Sequence, residues 1–342
     1  HWRGDRADFV AFSHAFTGLL AADANGLPSE MALMDAFLAS IAFPPNPNRN
    51  LNGTMPANFE GGNPNVGRDG FLNGNLDTIN CNACHREETG GTLPSSISPN
   101  VLPGTQSIKI PQLRNMHEKS GMDMSSQNGG KGFGFLHDGI SDTMFNFLEF
   151  EMFEFPSNPS GDQLRRDVAA FMMCFDTGTH SAIGAQAQIG GPGVTSSQEF
   201  DRRNTLRNLA LSDVGDLVVH FAGSTHQRGG VLQENGTYQS DALDEMWDQA
   251  FLDQISDSSM PVVYTLVPLG SGVRIALDRD RDGVFNADEI SSCSDPADPT
   301  SIPGSGVSCG FDLNADGQVD AADLGLLLVN WGPCGAERPC AG

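Results

Sequence analysis

The sequence predicts a mainly α domain, followed by a small mixed α/β region and acidic loops with the spacing of calcium sites. Three observations lead to this fold class. Apolar residues recur at helical spacing through much of the first half of the chain, as in Phe12, Phe16 and Leu19. Two later stretches, 216–221 and 261–277, are rich in Val, Ile, Tyr and Thr, as strands are. Regularly spaced acidic residues follow them.

The composition is that of a loop-rich and strongly acidic chain. Its 342 residues include 40 glycines and 20 prolines, and the formal net charge is −24 at pH 7. Nucleic acids and anionic membrane surfaces attract clustered Lys and Arg, so this charge argues against both as partners. It favours calcium or a basic redox protein instead. No apolar run approaches the length of a transmembrane helix.

The most informative motif is Cys81-Asn82-Ala83-Cys84-His85. Two thiols three positions apart can add to the two vinyl groups of haem, while the adjacent imidazole binds the iron. A zinc site would need a second ligand pair at matching spacing, and a redox disulfide would need a βαβ frame. The sequence has neither companion. The motif therefore predicts a covalently attached haem c with His85 as the proximal iron ligand.

Two segments downstream of this motif are expected to lie near the haem. Residues 109–116 read KIPQLRNM, and residues 134–139 read GFLHDG. The guanidinium group of Arg114 suits a haem propionate, although a structural ion pair is the alternative. His137 precedes Asp138, which can orient its ring near the haem, or it can simply belong to a fixed turn.

The order CNACH, KIPQLRN, FLHDG and then an amphipathic helix resembles the C-terminal haem domain of the bacterial di-haem cytochrome c peroxidase and MauG-like family. The match covers about residues 50–180 and implies a mainly α, cytochrome c-type haem domain. Residues 1–5 (HWRGD) are similar to the HDG stretch of a preceding haem domain. Residues 1–49 are therefore expected to be the C-terminal remnant of such a domain.

The resemblance also implies a role. In that family the N-terminal haem reduces hydrogen peroxide, so the present segment is expected to be the electron-relay half. Its partner would be a second haem domain or a small redox protein. Peroxidase activity would require a second haem domain upstream.

The ligand opposite His85 decides between electron transfer and catalysis. A thioether would close the site and favour electron transfer, whereas an open position would admit peroxide. In the resembled family a Met lies a little beyond the HDG motif, where Glu151 falls in this sequence, with Met152 one residue later. Met152 is the first choice. The other candidates, each of which can instead be a core residue, are Met116, Met122, Met144 and His137.

Residues 278–289, DRDRDGVFNADE, fit a calcium loop of twelve residues, with glycine at position six. The preceding residues 273–277 are expected to form a strand, so the loop is EF-hand-like without a full hand. The expected ligands are Asp278, Asp280, Asp282, Val284 through its carbonyl group, and Glu289.

Residues 312–323 repeat this pattern, with Asp at position twelve. Together with the following Leu-rich helix, they resemble a dockerin half-repeat of the kind found at the ends of planctomycete exported proteins. For each loop the alternative is a solvated acidic turn. The expected ligands of the second loop are Asp312, Asn314, Asp316, Gln318 and Asp323.

The rest of the chain divides into a linker at 181–200, a small mixed region at 201–292 and a Cys-containing tail at 293–342. The tail has a thin core, so one or two disulfides and export to the periplasm or cell surface are expected. The cysteines concerned are Cys293, Cys309, Cys334 and Cys340. The sequence thus predicts an exported electron-transfer cytochrome. The alternative is a calcium-stabilised surface or matrix-attachment protein that carries a haem domain.

Overall fold

The structure is a computed structural model, and it divides the chain into two compact units, His1–Ala182 and Ile183–Gly342. The boundary lies inside the segment 181–200 expected to be a linker, and residues 186–189 of that segment form a strand. The structure describes residues 4–21, 23, 25–74, 80–91, 96–100, 106–119, 134–136, 138–191, 197–224, 226–257, 260–304 and 321–330.

The mainly α, cytochrome c-type fold class expected for this chain is wrong. The protein is mixed, with 39% helix and 13% strand, and its second unit is built on a six-stranded antiparallel sheet. The strands of this sheet are short, and several pair with partners far away in the sequence. The spacing of apolar residues along the chain predicts such long-range pairing poorly. Strand formation depends on the neighbours that a segment meets in the fold.

The first unit consists of helices and one two-stranded ribbon. Its helices are α1 (Ser13–Leu19), α2 (Leu27–Ser40), α3 (Pro64–Asn73), α4 (Met116–Lys119), α5 (Met144–Phe147) and α6 (Pro159–Met173). Single 3₁₀ turns cover Val10–Phe12, Cys81–Ala83 and Glu151–Phe153. The antiparallel ribbon pairs β1 (Ser96–Ile97) with β2 (Ile108–Lys109).

Helix α3 forms in a Gly- and Asn-rich stretch of the chain. Its start signal is local, because the Asn63 side chain accepts two backbone N–H groups and Pro64 occupies the first turn. Gly67 allows close contact with α6, since a Cβ atom there would lie 1.8 Å from the Asp167 carbonyl oxygen. The fully buried Phe71 follows on the same helix. The α3–α6 pair therefore forms the centre of the first core.

The second unit combines its sheet with helices. The strands are β3 (Gln186–Ile189), β4 (Asp216–Ala222), β5 (Gln227–Leu232), β6 (Tyr238–Ser240), β7 (Met246–Trp247) and β8 (Val262–Val267), in the order β3-β8-β4-β5-β6-β7. The helices are α7 (Ser197–Ala210), α8 (Gln249–Asp257), α9 (Asn286–Ser291) and α10 (Ala321–Asn330). Across the described parts of both units, no helix combines the length and the apolar character needed to cross a membrane.

Residues Val273–Leu277, which were expected to form a strand, form a π-helical turn. This turn packs directly on the sheet at Gly229 of β5, where a Cβ atom would lie 2.2 Å from the Ala276 carbonyl oxygen. Ala276 and Leu277 are each 2% exposed and share a core cluster with Val218. The conformation of this segment therefore depends on the sheet beneath it, and only its last two residues are buried. The acidic loop begins at the next residue.

Candidate functional site

The segment that carries the paired cysteines forms a tight turn in the first unit. Asn80 Oδ1 accepts the Ala83 backbone N–H at 2.9 Å, and the His85 backbone N–H donates to the Cys81 carbonyl at 2.8 Å. The turn brings Cys81, Cys84 and His85 to the wall of one cavity. Both thiols are free, and burial raises the pKa of Cys81 to about 11. The two thiols are therefore available for a covalent bond to the same ligand.

A bidentate ion pair connects this turn to helix α3. Arg68 Nε lies 2.5 Å from Glu87 Oε1, and its Nη2 lies 2.7 Å from Oε2. The Glu87 backbone N–H donates to Asn82 Oδ1 at 3.3 Å. Two parallel hydrogen bonds from a guanidinium group restrict orientation as well as distance. The cysteine turn is thereby held beside the helix whose Phe71 also lines the cavity.

The ring of His85 is oriented by a backbone group. Its Nδ1 lies 3.1 Å from the carbonyl oxygen of Pro111. Because a carbonyl oxygen can only accept, Nδ1 carries the proton and Nε2 keeps its lone pair. Burial lowers the pKa of His85 to about 4, although the Pro111 hydrogen bond opposes this shift. At neutral pH the ring is thus an uncharged imidazole, held by one nitrogen in the way that metal-binding histidines usually are.

The cavity beside His85 is large and mostly apolar. Its volume is about 630 Å³, which lies within the usual range of roughly 300–1,000 Å³ for ligand sites. Helices α3, α4, α5 and α6 all contribute to its walls. Apolar walls next to two free thiols and a neutral imidazole fit a covalently attached porphyrin. The buried apolar residues that line it are Phe71, Ile110, Leu113, Met116, Phe135, Met144, Leu148 and Met172.

Thioethers are plentiful in this cavity. Met152, the first choice from the sequence, lines the same cavity as His85 and is partly exposed on the 3₁₀ turn Glu151–Phe153. Two of the other candidates, Met122 and His137, lie outside the described residues. Among the described residues, the methionines that line the cavity are Met116, Met144, Met152 and Met172.

The cations around the cavity differ from those expected. The Arg114 Nη2 donates to the Glu88 carbonyl oxygen at 2.7 Å, and Arg114 is absent from the described cavity wall. Two lysines that were not expected there, Lys109 and Lys119, line the cavity instead. The available signal was their position on either side of residues 110–116, whose apolar side chains Ile110, Leu113 and Met116 form part of the wall.

The acidic loop 278–289 forms a cluster of oxygen atoms in the second unit. One carboxylate oxygen each from Asp278, Asp280 and Asp282 lies within 4.8 Å of the others. Glu289 is 0% exposed, and neither of its carboxylate oxygens has a hydrogen-bond partner. Burial, and then repulsion by the three aspartates, raises the pKa of Glu289 to about 7. An all-oxygen set with an unsatisfied buried carboxylate fits a calcium ion.

The loop is shaped by its own backbone contacts. Asp278 accepts the backbone N–H groups of Arg281 at 2.7 Å and Gly283 at 3.1 Å. Gly283 has a φ of 96°, a left-handed conformation that glycine adopts without strain. Phe285 then packs against the core cluster that contains Val218. Phe285 therefore joins the acidic loop to the core of the sheet. It directly follows Val284, whose carbonyl group is an expected calcium ligand.

The second acidic loop lies almost wholly outside the described residues, as do most of the tail cysteines. Of its five expected ligands only Asp323 is described, in the first turn of α10, where it is 3% exposed. Cys293 is disulfide-bonded. The residues outside the description are Asp312, Asn314, Asp316 and Gln318 of the loop, and Cys309, Cys334 and Cys340 of the tail.

Comparisons of the chain with protein-family models, with curated proteins and with solved structures gave no match. Any functional interpretation therefore depends on the chemistry of the two sites. The first is an apolar cavity with thiols and an oriented imidazole, and the second is an acidic loop that contains the buried Glu289. They belong to different units of the chain.

Proposed function

We propose that this protein is an exported c-type cytochrome that transfers electrons. Cys81 and Cys84 hold the porphyrin covalently, and His85 binds its iron through Nε2. The observation that carries the proposal is the contact between His85 Nδ1 and the Pro111 carbonyl, because it presents a neutral imidazole at an apolar cavity. When bound, a haem supplies one-electron redox chemistry to this cavity.

The chain's own residues determine how the iron would be used. Four thioethers line the cavity, of which Met152 is proposed to supply the second iron ligand, and the mostly apolar walls would favour burial of the porphyrin. A thioether and an imidazole together raise the reduction potential and leave no position for peroxide. These features favour electron relay over catalysis at this iron. They suit the relay half of a di-haem peroxidase-like protein.

The second unit is proposed to bind calcium through the carboxylates of the loop 278–289 and the Val284 carbonyl. The support is the Glu289 side chain, which is buried without a partner beside three aspartates. Because Phe285 joins the loop to the sheet core, calcium would stabilise the whole sheet and not only the loop. In this proposal calcium has a structural role.

A second candidate is a calcium-stabilised protein that attaches to the cell surface or matrix and whose haem domain takes no part in that attachment. It is favoured by the division of the two sites between separate units. The double variant Asp280→Asn with Glu289→Gln tests it in the full-length chain. Loss of surface retention with an unchanged haem spectrum would support attachment, whereas retention equal to that of the unmodified protein would contradict it.

The cytochrome proposal is tested by expression in a host that matures c-type cytochromes. The unmodified chain should carry haem that survives denaturing electrophoresis, and the Cys81→Ser, Cys84→Ser double variant should not. The ferrous form should be low-spin and should not bind carbon monoxide. If the unmodified chain is colourless after expression in this host, the cytochrome proposal is refuted. Carbon monoxide binding to the unmodified protein would instead assign catalysis, not relay, to this iron.

A further inference from the structure

The cavity beside His85 has a distinct charge pattern. Lys109 at the end of β2 and Lys119 at the end of α4 both line it. Among the described residues of its wall, none is an Asp or a Glu. The protein carries a net charge of −24, so two lysines without an acidic residue contrast with the rest of the chain. The cavity is therefore suited to a ligand that is apolar in its body and anionic at its edge.

Within the described part of the chain, the lysines also lack partners that would explain them structurally. Neither ammonium group forms an ion pair with a carboxylate of the described residues. Lys119 is half-buried, and this burial lowers the pKa of its ammonium group. A partly buried ammonium group without a counter-charge is unfavourable, and an anionic ligand would remove that penalty.

We propose that Lys109 and Lys119 bind the two propionate groups of the haem and that their charges raise the reduction potential of its iron. This inference rests on the proposed cytochrome function and extends it to the residues that tune the iron. It also replaces Arg114, whose guanidinium group donates to the Glu88 carbonyl, as the cation expected to meet a propionate.

The direction of the effect follows from electrostatics. The oxidised iron carries one more positive charge than the reduced iron, so a nearby cation disfavours the oxidised form. Removal of a lysine withdraws that cation and also leaves a propionate charge unpaired, and both changes stabilise the oxidised form. The potential should therefore fall. Because the lysines are partly buried, added salt should screen the effect only weakly.

The test is an optical redox titration of the full-length holoprotein. The Lys109→Gln, Lys119→Gln double variant should reduce the equilibrium constant for one-electron reduction by roughly tenfold, about 59 mV in midpoint potential. Each single variant should show part of that shift. The Lys109→Arg, Lys119→Arg double variant keeps both charges and should stay close to the unmodified protein. Arg86→Gln removes an exposed charge next to His85 and should have little effect.

The outcomes separate this inference from the cytochrome proposal. An unmodified protein without haem would refute the proposed function itself. A haem protein whose potential is unchanged in both glutamine single variants, or falls equally in the arginine and glutamine double variants, would overturn the role of the lysines alone. If the glutamine double variant does not mature, the two single variants decide the question by the same potential measurement.

Discussion

His85 Nδ1 lies 3.1 Å from the carbonyl oxygen of Pro111, a residue 26 positions further along the chain. This contact determines which nitrogen carries the proton and leaves Nε2 as the free electron-pair donor. It also couples the cysteine turn to the segment that forms the cavity wall. Under the cytochrome proposal, this one hydrogen bond determines which atom of His85 can bind the iron.

Replacement of His85 by alanine should leave haem attached through the two thioether bonds but remove its axial nitrogen ligand. The visible spectrum should change from low-spin to high-spin, and added imidazole should restore the low-spin form. His180→Gln is a suitable control, because His180 is absent from the described cavity wall. A low-spin spectrum in the alanine variant without added imidazole would contradict the assignment.

Replacement of Met152 by leucine should open the position opposite His85. Leucine has a similar volume, so the change removes the sulfur atom at a stability cost of less than about 1.5 kcal/mol. The ferrous variant should bind carbon monoxide, whereas Met116→Leu and Met144→Leu, which alter the same cavity, should not. Should one of these two controls bind carbon monoxide while Met152→Leu does not, that methionine is the ligand.

Replacement of Glu289 by glutamine should have opposite effects on the two forms of the second unit. Without calcium, the variant loses an unpaired buried charge, so unfolding should require about 1–3 kcal/mol more free energy. With calcium, the affinity should fall by at least roughly tenfold, because a charged ligand at position twelve is lost. Thermal unfolding in chelator and in calcium measures both effects.

The control for that experiment is Glu234→Gln, which removes the same charge from an exposed position outside the acidic loop. It should leave calcium affinity and stability nearly unchanged. Equal calcium affinity in the Glu289 variant and in the unmodified protein would exclude the loop as a calcium site.

Calcium binding should depend on pH through the same carboxyl group. Burial, and then the neighbouring aspartates, raise the pKa of Glu289 from 4.5 to about 7, so below pH 7 calcium must displace a proton. Affinity should fall roughly tenfold for each pH unit below that value. Calorimetry in buffers of different ionisation enthalpy measures the released proton. An affinity that does not change between pH 7 and pH 5 would contradict this account.

The stability of the calcium-free second unit should show the opposite trend with pH. Glu289 has a higher pKa in the folded chain than in the unfolded chain, so the folded state binds more protons in the interval between 4.5 and about 7. Stability should therefore fall as pH rises through this interval. Glu289→Gln should remove that part of the pH dependence, which denaturant titrations at several pH values would detect.

Replacement of Gly67 by alanine should destabilise the first unit, although alanine is the better helix former. A Cβ atom would lie 1.8 Å from the Asp167 carbonyl oxygen, so α3 and α6 must separate, at a cost of about 1–3 kcal/mol. Gly18→Ala in α1 meets no atom within 4 Å and should stabilise by up to about 1 kcal/mol. Denaturant unfolding compares the two. Equal effects would show that α3 and α6 are not in close contact.

Part of the fold could be predicted from local signals. The strand at 216–221 was predicted from its composition and the helix around Phe12, Phe16 and Leu19 from its spacing, and strand β4 and helix α1 occupy these segments. The sheet as a whole could not be predicted, because β3 pairs with β8 and β8 with β4 across long stretches of chain. For the same reason, residues 273–277 were assigned to a strand, although they form a turn on top of the sheet.

The sequence by itself determined which residues form the two candidate sites and which ligand class each motif predicts, because the spacing of CNACH and of the loop 278–289 is local. Tertiary structure decided what surrounds those motifs: the Pro111 carbonyl beside His85, the lysines in the cavity wall in place of Arg114, and the burial of Glu289. These features depend on contacts between residues that are distant in the chain. Spacing cannot encode such contacts, because only packing of the complete fold brings the residues together.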